Sequence, residues 1–551
     1  MHQPSPAEPS AHGAADDSST PPSRLCMQRL LFCIEPFETL AAASWGWRLT
    51  GLSISFLLLV GVSFALLSLA DRINASGMVI TRFMARSQAP LTAHFYPPAA
   101  RNQITVLMYD PAFLDSSRSN WPIPYGDHAD WLLRISSNPN ARPRAIMVDV
   151  TFGQERDDPT LPQLQEALCT IQNDYGVPVF LAALASVNDG ALYVRKGLSP
   201  THPTDGRTCF TLVDVGYEAD PLDRLVWNYP MTRHLGPNGW LDGAAANDTT
   251  PTLRSAAMRI AQDAAGLNLG VTTPPMALVW GLRTPDLSMR PALLNYCREG
   301  ITQWSRLVPG VVRDVFSNEP SGSICPYHTT LSMSQVASLE EDVLRPLLAN
   351  RFVMVGAFVP GYNDLINAPI HGLIPGIYMH AMALDNLLTY GDHYKLSTDW
   401  ADLWTTPELI KAALAAVAAI YVVHLAWSLA RRRLLAWQTF MDWRTSIPGL
   451  AWYERKHSLS RRTLKLLLDM LAWLLKRMAQ TAAALLLVAY LQSEFRIGML
   501  PVVELVTMTL VAEGLDAMAR IRRFISGEDD KPASTPASPD ITQEQAKKES
   551  A

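Results

Sequence analysis

Apolar residues along this chain fall into two separate patterns. From Leu49 to Ala70 the run LTGLSISFLLLVGVSFALLSLA carries no charge over 22 residues, enough for one helix to cross roughly 30 Å of hydrocarbon. Trp45 and Trp47, beside Arg48, fit the interfacial belt at its start. Three more apolar runs lie at 410–430, 479–492 and 499–518, the first closed by Arg431, Arg432 and Arg433. The pattern predicts four transmembrane helices, the first an uncleaved anchor because its run is longer than a signal peptide's and begins far into the chain.

Between Asp71 and Trp404 the pattern changes. Short apolar runs alternate with helical periodicity: QITVLMY from Gln103, AIMVDV from Ala145, VPVFLAAL from Val177 and RFVMVGAF from Arg351. Continuous rather than alternating apolarity is the mark of strands covered on both faces. Helical spacing runs from Asp127 to Ile135, Leu161 to Asp174, Thr252 to Ala265 and Gly376 to Leu388. Strands alternating with helices predict an α/β domain over 71–404 on a mostly parallel, mixed sheet with flanking helices.

Charge distribution orients the chain. The 431–478 segment holds eleven Lys and Arg residues, with an amphipathic stretch LKLLLDMLAWLLKRM, and Arg520, Arg522 and Arg523 follow the fourth run. The turn between the third and fourth runs holds only Arg496. The positive-inside rule then predicts a basic cytoplasmic loop, both termini cytoplasmic and the large domain periplasmic, in a bacterial inner membrane. Residues 1–24 and the polar end of the 519–551 tail have too few apolar groups to offset ordering entropy, and both are expected to be disordered; 25–48 reads as a juxtamembrane segment. A net charge of −5 with both signs dispersed offers no basic face for nucleic acid.

Of the six cysteines, Cys169, Cys209, Cys297 and Cys325 lie in the middle domain without paired close spacing. In an oxidising compartment they make up to two disulfides with three possible connectivities; as buried free thiols they would be inert. Asp110 and Asp149 each follow an apolar strand, and Asp364 follows the strand ending at Gly356, so a parallel sheet places all three at its carboxyl edge, where α/β folds bind ligands. Each also has the alternative of capping a helix or pinning a turn. Trp121, before Pro122, offers a platform or core cover, and His380 a group responsive to acidic pH or simply a satisfied polar contact. His424, Glu504 and Glu513 are the polar groups inside predicted spans, placed either to pair with one another or to mark a proton path. Hydrolase, metalloprotease and phosphate-loop motifs are all missing, so neither enzyme, cofactor nor metal is expected.

Three ordered blocks carry a family resemblance: ITVLMYDPAFLDSSRSNWPIPYGDHADWLLRI, RAIMVDVTFGQERDDPTLPQLQEAL and RFVMVGAFVPGYNDLINAPIHGLIPGIYMHAMALDNLL. Strand, acidic turn, Trp-Pro pair and helix in the first, a strand ending in Asp in the second, and a Gly-ended strand with a Pro-Gly-x-x-x-His-Ala helix start in the third resemble the second family of CHASE domains. That family comprises extracellular sensory modules, usually set between one span and three. Three departures stand out: the Arg expected after the Trp-Pro pair is replaced by Ile123, Pro124 and Tyr125, the region from about Ser186 to Asn318 is long and irregular, and the chain after Arg523 is expected to be too short for the family's usual kinase or cyclase. The resemblance implies a sensor of a periplasmic ligand or envelope condition. It is expected to sit in the lipid bilayer, as a homodimer in the manner of two-fold sensors, and to signal to a separate cytoplasmic or membrane effector. Rival readings are an envelope docking protein or a transport component.

Overall fold

The computed structural model describes residues 92–397 apart from 222, 246–248, 271–272, 283–324, 360 and 362–363, together with 57, 85, 86, 89 and 90. The predicted spans 49–70 (Leu57 aside), 410–430, 479–492 and 499–518, the loop 431–478, both chain ends, Cys297, His424, Glu504 and Glu513 lie outside the described residues. Among the described residues no helix is long and apolar enough to cross a membrane.

Seven strands make the central sheet: β1 (Ile104–Tyr109), β2 (Ala145–Val148), β3 (Val179–Ala185), β4 (Leu192–Tyr193), β5 (Thr211–Asp214), β6 (Thr329–Ser332) and β7 (Phe352–Ala357). Their order is β6-β1-β7-β2-β3, with β5 paired to β3. All these pairings are parallel; only the two-residue β4 runs antiparallel, against Leu184 and Ala185. β7 is inserted between β1 and β2, so Val355 stands beside both Leu107 and Val148. The four strands read from apolar runs are all present, and β1 and β2 are buried at every position.

The continuous burial has a simple cause. Ile104, Val106 and Met108 of β1 face one core with Phe180, Phe352 and Met354, covered by α4 (Ala256–Asp263) and α7 (Ile377–Tyr390). Leu107 and Tyr109 face a second core with Ile146, Val148, Val353 and Val355. That side is covered by α1 (Pro111–Ser117), α2 (Tyr125–Ser137), α3 (Leu161–Asn173), α5 (Met333–Ser338) and α6 (Glu341–Leu348). Helices on both faces leave no polar side for alternation to mark. The predicted helix from Thr252 is shorter than its periodicity, because Leu253–Arg254 pair as a strand with 232–236 before α4 starts at Ala256.

One close approach sets the position of α7. A Cβ on Gly356, at the end of β7, would lie 2.9 Å from Cβ and Cγ2 of Ile377 in the first turn of that helix. Gly356→Ala is therefore expected to push α7 off the sheet edge and to cost about 1–3 kcal/mol by overpacking. Thermal unfolding of the intact protein reads this, and an unchanged midpoint would show that the helix start yields freely.

Two devices tie the domain together. Cys169 of α3 and Cys209, just before β5, form a disulfide across 40 residues, which limits the unfolded chain. Cys325 is also disulfide-bonded. In the α7 layer, Asp385 is fully buried, accepts from Tyr96 Oη at 2.5 Å and pairs with His328 Nε2 at 3.1 Å. Asn386 Nδ2 donates to Tyr96 Oη at 3.2 Å, so the segment entering the domain is hydrogen-bonded to two successive residues of α7.

Candidate functional site

The carboxyl ends of β7, β2, β3 and β5 open onto one cavity of about 690 Å³. Its wall takes Asp149 through Phe152 after β2, Val215 through Tyr217 after β5, and Ala357 from β7. Trp121, Pro122, Tyr125 and His128 come from the entry and first turn of α2, and Gly376, Met379 and His380 from the start of α7. Parallel strands end together, so their following loops and helix starts converge here.

Asp149 continues β2, its N–H donating to Val355 O at 2.7 Å. Asp364 lies beside the start of α7: its carbonyl accepts from Gly376 N at 2.8 Å, and a Cβ on Gly376 would come within 2.6 Å of its Oδ2. Only glycine leaves room for that carboxylate against the helix start, where its negative charge is favoured by the dipole. Burial and the neighbouring Asp364 push the Asp149 carboxyl well above the usual carboxylate range. Burial raises Asp364 as well, although it keeps exposed surface at the cavity. The repulsion between the two disfavours joint ionisation, so the pair tends to hold a proton.

His380 is buried, and its Nδ1 meets Tyr229 Oη at 2.8 Å. That hydroxyl also accepts from Ala257 N at 3.2 Å. Burial drops the His380 pKa to about 3, so it stays neutral across the acidic-to-neutral range in which a free histidine titrates. His128 is equally buried, stands edge-on to Tyr109 and Phe152, and has no hydrogen-bond partner for Nδ1. Burial, then the charge of Arg156, lowers it to about 3 as well.

Arg156 supplies what the Trp-Pro segment lacks in sequence. Its guanidinium donates to Pro122 O at 3.2 Å and Ile123 O at 2.6 Å, lies over the Tyr125 ring at 3.9 Å and pairs with Asp158 at 3.1 Å. Arg195 covers the same ring at 5.1 Å and donates to Tyr125 Oη at 2.7 Å. The segment, which contains a cis Trp121–Pro122 bond, is thus fixed by cations brought from elsewhere in the chain.

Of the residues singled out in sequence, Asp149, Asp364, Trp121 and His380 come together around this cavity. Asp110 does not line it: buried at the end of β1, it caps α1 by accepting from Phe113 N at 3.0 Å and from Ser332 Oγ at 2.6 Å. Sequence reasoning passed over His128 and Arg156, which stood unremarked inside the quoted blocks, noted Tyr125 only as a departure from the family pattern, and missed Tyr217, which lies between the second and third blocks. Among the described residues no three His, Cys, Asp or Glu side chains are grouped so as to hold a metal. A family model described as the CHASE2 domain matches residues 53–426. No curated protein and no solved structure matches the chain.

Proposed function

The chain belongs to the CHASE2 domain family, whose members are extracellular sensor domains, and on that premise we propose that it is a bacterial inner-membrane sensor. In this reading the α/β domain lies in the periplasm, binds a small ligand in the cavity and biases four transmembrane helices toward a separate effector. The observation that carries the reading is the placement of α7: its first turn forms part of the cavity wall at Gly376, Met379 and His380, and about two turns on it holds Tyr96 through Asp385 and Asn386. A helix of 14 residues is a rigid body about 21 Å long. A ligand that favours one seat of its start over another would shift the entering segment by the same movement, which requires different affinities for the two states.

The test is crosslinking from 431–478 and from 519–551 in intact cells, followed by purification, in the wild type and in Tyr96→Phe. Recovery of a kinase, cyclase, phosphodiesterase or transcription regulator, in a yield that changes with Tyr96→Phe, is expected. Recovery of envelope proteins alone would turn the reading toward a docking role.

A further inference from the structure

The cavity described above carries an unbalanced charge. Asp149, Glu155 and Asp364 line it, whereas among the described residues of its wall Arg156 is the one cationic side chain, and its Nη1 and Nη2 are already engaged by Pro122 O, Ile123 O and Asp158. Neither histidine supplies positive charge near neutral pH, since burial holds both His128 and His380 uncharged. We propose that the cavity takes a small organic cation, its ammonium group held by Asp149 and Asp364 and its apolar body lying along Trp121, Pro122 and Phe152. The proposal rests on the sensory reading of the same site and names the ligand class.

A second, independent observation points to an occupant. His380 is 3 % exposed, forms part of the wall and is bonded at Nδ1 to Tyr229, but its Nε2 has no hydrogen-bond partner among the described residues. Unlike His128 Nδ1, this nitrogen is not fully enclosed, so it is the edge of the ring left open at the cavity wall. A hydroxyl on the ligand, close to the ammonium, can pair with it in either tautomer. His128, 1 % exposed and without a partner at Nδ1, stands in the same wall.

The alternatives fit less well. A metal ion needs three or more grouped donors, and among the described residues there is no such group. An anion would sit against the Asp149 and Asp364 carboxyls, and among the described wall residues the one cation, Arg156, is already paired. An ammonium satisfies the pair with directed N–H donors, and each charge-assisted bond is stronger than a neutral one. The volume of about 690 Å³ is in the range of small-molecule sites, and the edges of Trp121 and Phe152 offer an apolar wall.

The experiment is ligand-dependent thermal stabilisation of the full-length protein in detergent. Probes are phenethylammonium, ethanolammonium, the shape-matched neutral 2-phenylethanol, phenylacetate, calcium and magnesium. Either ammonium probe is expected to raise the unfolding midpoint at millimolar concentration, with 2-phenylethanol and phenylacetate roughly ten-fold weaker or inactive. Asp149→Asn and Asp364→Asn should each weaken ammonium binding by roughly ten-fold or more. Asparagine replaces a carboxyl that already tends to be protonated, so both variants are expected to fold, and Trp121→Ala, which leaves the carboxylates in place, reads the apolar wall separately. Ammonium binding unchanged in both asparagine variants, or no stabilisation by either ammonium probe, overturns the proposal. Stabilisation by phenylacetate, or by calcium in a form abolished by the same variants, would also overturn the cation class while leaving ligand sensing intact. Effector crosslinking tests the sensory reading without any probe, so the two fail separately.

Discussion

Replacing Asp214 with Ala is expected to cost about 3–5 kcal/mol, because it strands a buried guanidinium. Arg233 reaches Asp214 through two parallel bonds, Nε to Oδ2 and Nη2 to Oδ1, each 2.7 Å, with the two side chains only 10 % and 1 % exposed. Its other neighbours are the Trp240 ring at 5.0 Å, which cannot accept the freed N–H groups as a carboxylate does, and the charges of Asp242 and Glu218, which act on it without a direct bond. In a domain of this size the loss lowers the unfolding midpoint by roughly 10 °C. A double variant, Asp214→Leu with Arg233→Met, should recover most of it, since removing both charges removes the desolvation penalty together with the attraction. A fall of less than 1 kcal/mol in the single variant would mean that water reaches Arg233 and that the pair is effectively a surface one. The same substitution should also loosen the cavity, because Asp214 Oδ1 accepts from Gly216 N at 3.1 Å and so holds the turn whose residues Val215, Gly216 and Tyr217 form part of the wall.

That pair also marks where the sequence stopped being legible. β1, β2, β3 and β7 were readable because strands buried on both faces must be apolar at every position, and α2, α3 and α7 because each pairs a fixed cap or proline start with helical spacing. β5 and β6 were not. Thr211–Asp214 and Thr329–Ser332 have few aliphatic residues, and their burial is satisfied by polar contacts such as Thr330 Oγ1 with Tyr378 Oη at 3.0 Å, which no periodicity announces. Long-range polar pairs behave alike: Asp214 with Arg233 and Tyr96 with Asp385 are specified by the fold, and neither residue of either pair shows its partner locally.

For the site, strand-end logic was enough to bring Asp149 and Asp364 to one edge, because the carboxyl ends of parallel strands are necessarily neighbours. It failed for Asp110 at the same kind of position. β1 has β6 as its outer neighbour, and Ser332 at the end of β6 donates into the carboxylate, so the side chain is drawn into capping α1 and away from the cavity. Arg156 was invisible for the opposite reason. It lies in an acidic loop that reads as solvated, yet its guanidinium turns back onto Tyr125 and the Trp121–Pro122 segment.

The largest effect on stability should come from acid, through His128 and His380. Both are buried and neutral, with pKa near 3 against 6.5 for a free side chain. Between those limits the unfolded chain binds two protons that the folded domain refuses, so the stability these histidines contribute is fully present above pH 6.5 and is lost as pH falls toward 3. By pH 4.5 each lowers stability by roughly 2–3 kcal/mol, about 5 together. Asp149 and Asp364 act in the opposite sense. Their raised pKa means the folded state takes up protons first, which stabilises it as pH falls, so the wild-type curve alone understates the histidines. The difference between proteins isolates them: His380→Gln and His128→Asn, each unable to titrate, should lose less of their midpoint between pH 7.5 and 4.5 than the wild type does, and the double variant less again. Parallel curves for all four proteins would mean that water or a counter-charge reaches both rings, and that the cavity is wetter than its packing around Tyr109, Phe152 and Tyr229 implies.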